Sequence, residues 1–264
     1  MDALCRKQDD GLLAGNQDTS LLKVMALCLM LIDHVGIVLF QNMLEFRVIG
    51  RMAFPLYAWC LVVGSVKTKN IFKYGLRLLG LALISQPLYM MALSHDWTDF
   101  NILFTLLIGL TAIGGIRAKW YGSHIWVPLL CFTLLGFVRV DYGWQGVMFM
   151  LVLYGARKTR SGLIAAYIAY ALFWGSNSSS IMRLFGVNLS ILSSSAGLGR
   201  VLASFFRMQG MVWLSLPLIT LEFHSHFCLP KWLGYALYPL HLVLLILLRL
   251  GVNGVTWEQL LMGF

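Results

Sequence analysis

The sequence predicts an all-α polytopic membrane protein, a bundle of nine or ten transmembrane helices. Three observations predict it. Of 264 residues, 59% belong to the set AVILMFWYC and only 12% are charged. Mean hydropathy is +0.78. Long apolar runs recur along the chain, and strand periodicity is absent, which argues against a barrel. A soluble domain carries about 25% charged residues, so a water-facing surface of ordinary size cannot be built from this chain. A cytosolic globular enzyme, a disordered chain and a disulfide scaffold are excluded. The five cysteines form no CxxC pair, and Cys28, Cys60 and Cys131 lie inside apolar runs, where they read as small core residues.

A lipid-crossing helix needs about 20 mainly apolar residues. In order, the runs are 21–40, 52–66, 74–93, 102–116, 124–138, 144–156, 163–174, 211–221 and 233–250. The stretch 176–207 holds two Ser triplets, Arg183 and Arg200, and reads as an eighth helix, a re-entrant segment or an interfacial helix. Around the single transmembrane domain (20–251) lie a polar N-terminal segment (1–19) and a C-terminal tail (252–264). No cleavable signal peptide is evident, because the first apolar run is too long for one.

The chain carries 20 Lys+Arg against 11 Asp+Glu, a net charge of +9. In a soluble protein that excess suggests nucleic acid. In a membrane protein basic residues gather in cytoplasmic loops against anionic lipid, so the expected partner is the bilayer, with no nucleic acid. Lys67, Lys69 and Lys73, then Arg117 and Lys119, then Arg157, Lys158 and Arg160 occupy every second loop. Those loops are expected inside and the N-terminus with them, in a bacterial inner or plasma membrane. Ser94–Phe100 has Asp96 and Asp99 and no basic residue. No internal repeat supports a two-fold transporter plan.

A charge in the hydrocarbon region costs several kcal/mol unless paired or hydrated. Asp33-His34 sits inside the first run, and Asp33 is the one acid deep in any apolar run. The pair is either a histidine general base with a carboxylate that positions it, or a polar pair that locks helix packing. Arg51, at the mouth of the second run, is either a snorkelling anchor or an anion site. Arg77, one turn into the third run, meets phosphates from the cytosol or anchors the helix. Gln86 and Pro87 break that same run and read as architecture. Asn101 and Thr105 either bind substrate or cap a helix, and Asp141, with Tyr142 and Gly143, opens the sixth run as an N-cap or a site residue. His241 follows Tyr238-Pro239 in the last run and packs or lines an opening. Glu222, His224 and His226 give only a weak metal signal, and no metal is expected. On this topology Asp33, His34, Arg51, Asn101 and Asp141 share the outer half.

Seven short motifs in register resemble TraX-type membrane proteins. They are Leu22-Lys23 with Ala26, Met30, Asp33-His34 and Gly36; Ile49-Gly50-Arg51 with Ala53-Phe54-Pro55 and Tyr57; Tyr74 with Arg77-Leu78; Ser85-Gln86-Pro87; Asn101 with Phe104-Thr105-Leu106; Asp141-Tyr142-Gly143 with Gly146; and Tyr238-Pro239 with His241-Leu242. They run from about residue 20 to 245. Thr220–Phe227 departs from the family's turn before the last span, and 176–207 has no counterpart. The resemblance places the chain near the integral-membrane acyltransferases. It implies acetyl-CoA as donor and, as acceptor, an amine or hydroxyl: a pilin N-terminus, a glycan or a small amine. It implies His34 as general base, Asp33 to orient it, and Asn101 on the thioester carbonyl. Arg51, Arg77, Thr105 and His241 would then bind the donor, with Asp141 and Tyr142 at the acceptor. A proton-relay transporter and a non-catalytic assembly factor are the competing readings.

Overall fold

The computed structural model describes residues 13–40, 43–189, 197–223, 225, 227–252, 254 and 260. Most of the polar N-terminal segment, Ser193, Ser194, Ser195, His224, His226 and most of the C-terminal tail lie outside the described residues. The helices are α1 (Thr19–Leu39), α2 (Leu44–Gly50), α3 (Ala53–Lys67), α4 (Ile71–Leu93), α5 (Ile102–Ala118), α6 (Ser123–Leu134) and α7 (Gly143–Ala156). They continue with α8 (Arg160–Ser176), α9 (Leu198–Phe205), α10 (Leu216–Thr220) and α11 (Lys231–Val252). Two-residue strands interrupt them: β1 (Asp99–Phe100), β2 (Arg139–Val140), β3 (Arg183–Leu184) and β4 (Val187–Asn188). Short runs of this kind have too few residues to show a period of two.

Among the described residues, four helices are long and apolar enough to cross a membrane: Thr19–Leu39, Leu44–Lys67, Ile71–Leu93 and Trp232–Val252. Every expected run contains helix, yet the others are shorter. At 1.5 Å per residue, 17 residues give about 26 Å, 14 about 21 Å and 12 about 18 Å, against a hydrocarbon core of about 30 Å. Among the described residues, length and composition support four of the nine or ten expected spans. The second of these starts earlier than expected. Residues 44–50, which the sequence presents as a charged loop, form α2 and run almost straight into α3.

The chain forms two compact units. The first comprises Met1–Cys60 and Gly155–Cys228. Its core holds Phe54, Trp59, Tyr167 and Trp174 fully buried. Residues 13–18 thread into this core. Asn16 is fully buried, its side chain donates to the Leu218 carbonyl, and its own carbonyl accepts the Trp59 indole N–H at 2.7 Å. Gly15 permits the passage, since a Cβ there would lie 2.5 Å from the Trp59 ring. Asp18 then caps α1 by accepting the Leu21 N–H at 3.1 Å.

The open question over 176–207 resolves without a membrane-spanning helix among the described residues. β3 and β4 pair antiparallel around Phe185-Gly186, both at positive φ (48° and 79°), as a two-residue hairpin turn requires. Ile181 joins Val48 of α2 and Met211 in a buried cluster, and the Phe185 N–H donates to Glu45 of α2 at 3.2 Å.

The second unit comprises Leu61–Tyr154 and Leu229–Phe264. Here α5 packs on α4 and α6, and α11 packs on α4. Gly109 of α5 admits Met150 of α7, whose methyl would lie 2.2 Å from any added Cβ. Arg249 of α11 donates to the Met91 carbonyl of α4 at 2.7 Å. Among the cysteines, Cys60 and Cys131 are buried as expected, whereas Cys28 is exposed on α1. A helix apolar all round turns some of that surface outward, so hydrophobicity alone does not assign a core position.

Candidate functional site

In the first unit, the charges sit where α1 and α2 fold back on each other. Gly36 of α1 lies against Phe46, and Gly50 of α2 lies against Asp33. A Cβ on Gly50 would come within 2.2 Å of the Asp33 Cβ, so only glycine lets the backbone of α2 approach the carboxylate this closely. Phe40 and Phe46 stack with ring centroids 5.1 Å apart and close the end of the hairpin.

Into that gap α2 and the turn after it bring two cations. Arg47 Nε lies 3.1 Å from Asp33 Oδ1, and Arg51 Nη2 lies 3.9 Å from Asp33 Oδ2. The nearer partner is the wetter one: the side chain of Arg47 is 41% exposed, those of Arg51 and Asp33 only 11% and 13%. Arg47 supplies geometry and Arg51 supplies a desolvated charge, which acts more strongly per ångström. Two guanidiniums against one carboxylate leave the cluster cationic. Arg51 is thus no free anchor at a span mouth. It follows α2 by one residue and sits four positions beyond Arg47, so one helical face delivers both to Asp33. Arg47 falls between the apolar runs 21–40 and 52–66, and its four-residue spacing from Arg51 is the signal in the sequence that the two share a helical face. His34, half-buried on α1, is the next residue along.

The second unit holds the remaining candidates. Asn101 is fully buried and caps α5, accepting the Leu103 N–H at 3.0 Å. Its amide nitrogen donates to the Ala82 carbonyl at 3.0 Å and to Gln86 Oε1 at 2.9 Å. Gln86 Oε1 also accepts the Asn101 N–H, and its nitrogen donates to the Asp99 carbonyl. Both amide protons of Asn101 are engaged, so none remains for a thioester oxygen. In this arrangement Asn101 acts as the cap of α5. Pro87 explains the location, because it leaves the Leu83 carbonyl without its helical donor and loosens α4 there.

Thr105 donates its hydroxyl to the Asp141 carbonyl, and the Asp141 N–H donates to the Phe100 carbonyl at 3.0 Å. β1 and β2 pair in parallel beside them, with Phe100 opposite Val140. Tyr142 takes φ 64° and Gly143 φ 53°, the turn that starts α7. The Thr105 hydroxyl therefore secures a turn rather than facing a donor. His241 is buried on α11, with its ring edge-on to Tyr238 at 5.0 Å. Arg77 is exposed on α4 and beside a cavity of about 420 Å³ lined by Thr68, Lys69, Asn70, Lys73, Leu76 and Arg77.

The TraX protein family model matches residues 18–249, a range that contains every candidate residue above. A probable fimbrial assembly protein, FimC of serogroup H1 from Dichelobacter nodosus, is 30% identical over 165 residues, 57% of this chain and 67% of that one. Protein TraX of Escherichia coli is 28% identical over 187 residues, 68% of this chain and 73% of that one. An uncharacterized protein of Rickettsia prowazekii is 27% identical over 161 residues, and this chain spans 60% of its length. No solved structure matches. The chain belongs to the TraX family.

Proposed function

We propose that this chain is an integral-membrane acetyltransferase that uses acetyl-CoA from the cytosol, with His34 as general base. The observation that carries the reading is the placement of Asp33-His34 on a helix long enough to span the bilayer, with Arg47 and Arg51 gathered on that carboxylate. Membership in the TraX family supports it. The acceptor is an amine or hydroxyl: a protein N-terminus such as a pilin's, a glycan or a small amine. The protein sits in the bacterial inner membrane with its N-terminus and basic loops inside.

The chemistry needs one proton acceptor. The acceptor's nitrogen or oxygen attacks the thioester carbonyl carbon. The new C–N or C–O bond forms and the C–S bond breaks. His34 takes the proton from the attacking atom and returns it to the departing thiolate, giving the acetylated product and CoA thiol. Asp33 acts by holding Arg47 and Arg51, whose surplus positive charge has the sign that stabilises a developing oxyanion. Arg77 contacts the donor's phosphates, His241 supports the site, and Asp141 and Tyr142 meet the acceptor. Asn101 and Thr105 serve as scaffold.

The Dichelobacter relative, a probable fimbrial assembly protein, favours a second reading, a fimbrial assembly factor without catalysis. Transfer of labelled acetyl from acetyl-CoA to a peptide amine, by the purified chain in nanodiscs, separates the two. Transfer that disappears in His34→Ala supports the enzyme. No transfer to amine, hydroxyl or water leaves the assembly reading.

A further inference from the structure

The Lys69–Arg77 cavity collects positive charge that nothing on its walls cancels. Lys73 and Arg77 stand four residues apart on one face of α4, and Lys69 precedes the Asn70 cap. No acidic side chain lines the cavity. Like charges at this helical spacing cost a few tenths of a kcal/mol per pair in the absence of a counter-anion. Arg77 Nε donates to the Lys73 carbonyl at 3.2 Å, which fixes the stem of the side chain. The loop beneath is also held. Arg117 donates through Nη1 to the carbonyls of Ser65 and Thr68, the latter at 2.9 Å, and Thr68 Oγ1 donates to the Asn70 carbonyl at 3.2 Å. Asn70 in turn accepts the Lys73 N–H at 2.9 Å. Three exposed cations therefore border an open groove of about 420 Å³ above a loop held by internal hydrogen bonds.

The geometry points to a binding site for a phosphate-bearing ligand at the Lys69, Lys73 and Arg77 cavity. Arg77 offers a planar fork for two phosphate oxygens, and the lysines offer point charges. Thr68, whose hydroxyl is engaged by the Asn70 carbonyl, shapes the rim. The chemistry is shared by the 3′-phosphate and diphosphate of CoA and by an anionic lipid headgroup. Assignment to CoA rests on the acetyltransferase reading; the phosphate site itself does not.

The test uses the full chain in nanodiscs of phosphatidylcholine, with and without phosphatidylglycerol. CoA and 3′-dephospho-CoA are titrated against the parent protein, Lys73→Gln, Arg77→Gln and the rescue variants Lys73→Arg and Arg77→Lys. Lys158→Gln, an exposed basic residue outside the cavity, controls for general charge. In phosphatidylcholine, each Gln variant is expected to weaken CoA binding about tenfold, the strength of one charge-assisted contact. Dephospho-CoA should lose part of this sensitivity, the rescue variants should recover part of the affinity, and Lys158→Gln should change little. If CoA binding is unmoved but thermal stabilisation by phosphatidylglycerol falls in the same variants, the phosphate belongs to lipid. If neither ligand responds, or Lys158→Gln matches the cavity variants, the site is overturned. His34→Ala should bind CoA normally, so failure of the acetyl-transfer chemistry is read separately from failure of this site.

Discussion

Two buried polar groups in this molecule solve the same problem in opposite ways. Asn101 and Gln86 in the second unit are neutral amides that spend their donors and acceptors on each other, on the Asp99 and Ala82 carbonyls and on the start of α5. Asp33 in the first unit meets two arginines, so this cluster is built from formal charges rather than from neutral amides. A closed neutral network fixes helix positions and has nothing left to offer a substrate. A charged cluster beside a histidine retains a field that a reacting group can use. The difference separates scaffold from candidate chemistry better than residue type does.

The largest effect should come from His34→Ala, with a loss of about 10²- to 10⁴-fold in kcat, the usual contribution of a general base, and little change in thermal stability. Next is Asp33→Ala, which removes the carboxylate that both guanidiniums face. It should destabilise the protein by about 3 kcal/mol, as removal of one partner from a buried ion pair does. Arg47→Ala should lose only about 1 kcal/mol, because that side chain is 41% exposed. Equal losses for the two would mean that the exposed Arg47, rather than the desolvated Arg51, carries the pairing of Asp33. Asn101→Ala should lower stability by about 2 kcal/mol by orphaning buried partners, while kcat of the surviving folded fraction holds. A kcat loss without a stability loss would return Asn101 to the chemistry.

The smallest effect concerns Asp18. Burial opposes its charge, yet hydrogen bonds from the Ser225 hydroxyl, and from the backbone N–H groups of Leu21, Ser225 and Ser20, hold its carboxyl below the usual carboxylate range. The sign follows from that lowered value. The contribution is present above the unfolded carboxylate range, near 4, and fades as pH falls through the folded value. Ser225→Ala should therefore cost about 0.5 kcal/mol at neutral pH, since the pair is exposed, and progressively less in acid, read from thermal melts.

Much of this was legible from composition and pattern. The runs 21–40, 74–93 and 233–250 match α1, α4 and α11 within a few residues, because long apolar stretches have one structural outcome. Asp33 and His34 stood out for the cost of burying them. The rest was hidden for identifiable reasons. Glu45 and Arg47 made α2 read as a loop, since partners that neutralise a charge from another helix are invisible in one-dimensional pattern. Asn16 and Asn101 became buried through bonds to carbonyls distant in sequence. The Phe185-Gly186 turn carries a bulky residue at positive φ, an uncommon choice for a hairpin.

The central claim is that the imidazole of His34 carries a proton during acetyl transfer. The direct measurement is the rate of acetyl transfer from acetyl-CoA to a peptide amine in nanodiscs, for the parent chain and His34→Ala at equal folded concentration. The account predicts a loss of at least about 10²-fold, with CoA affinity unchanged. Transfer at the parent rate by His34→Ala would contradict it.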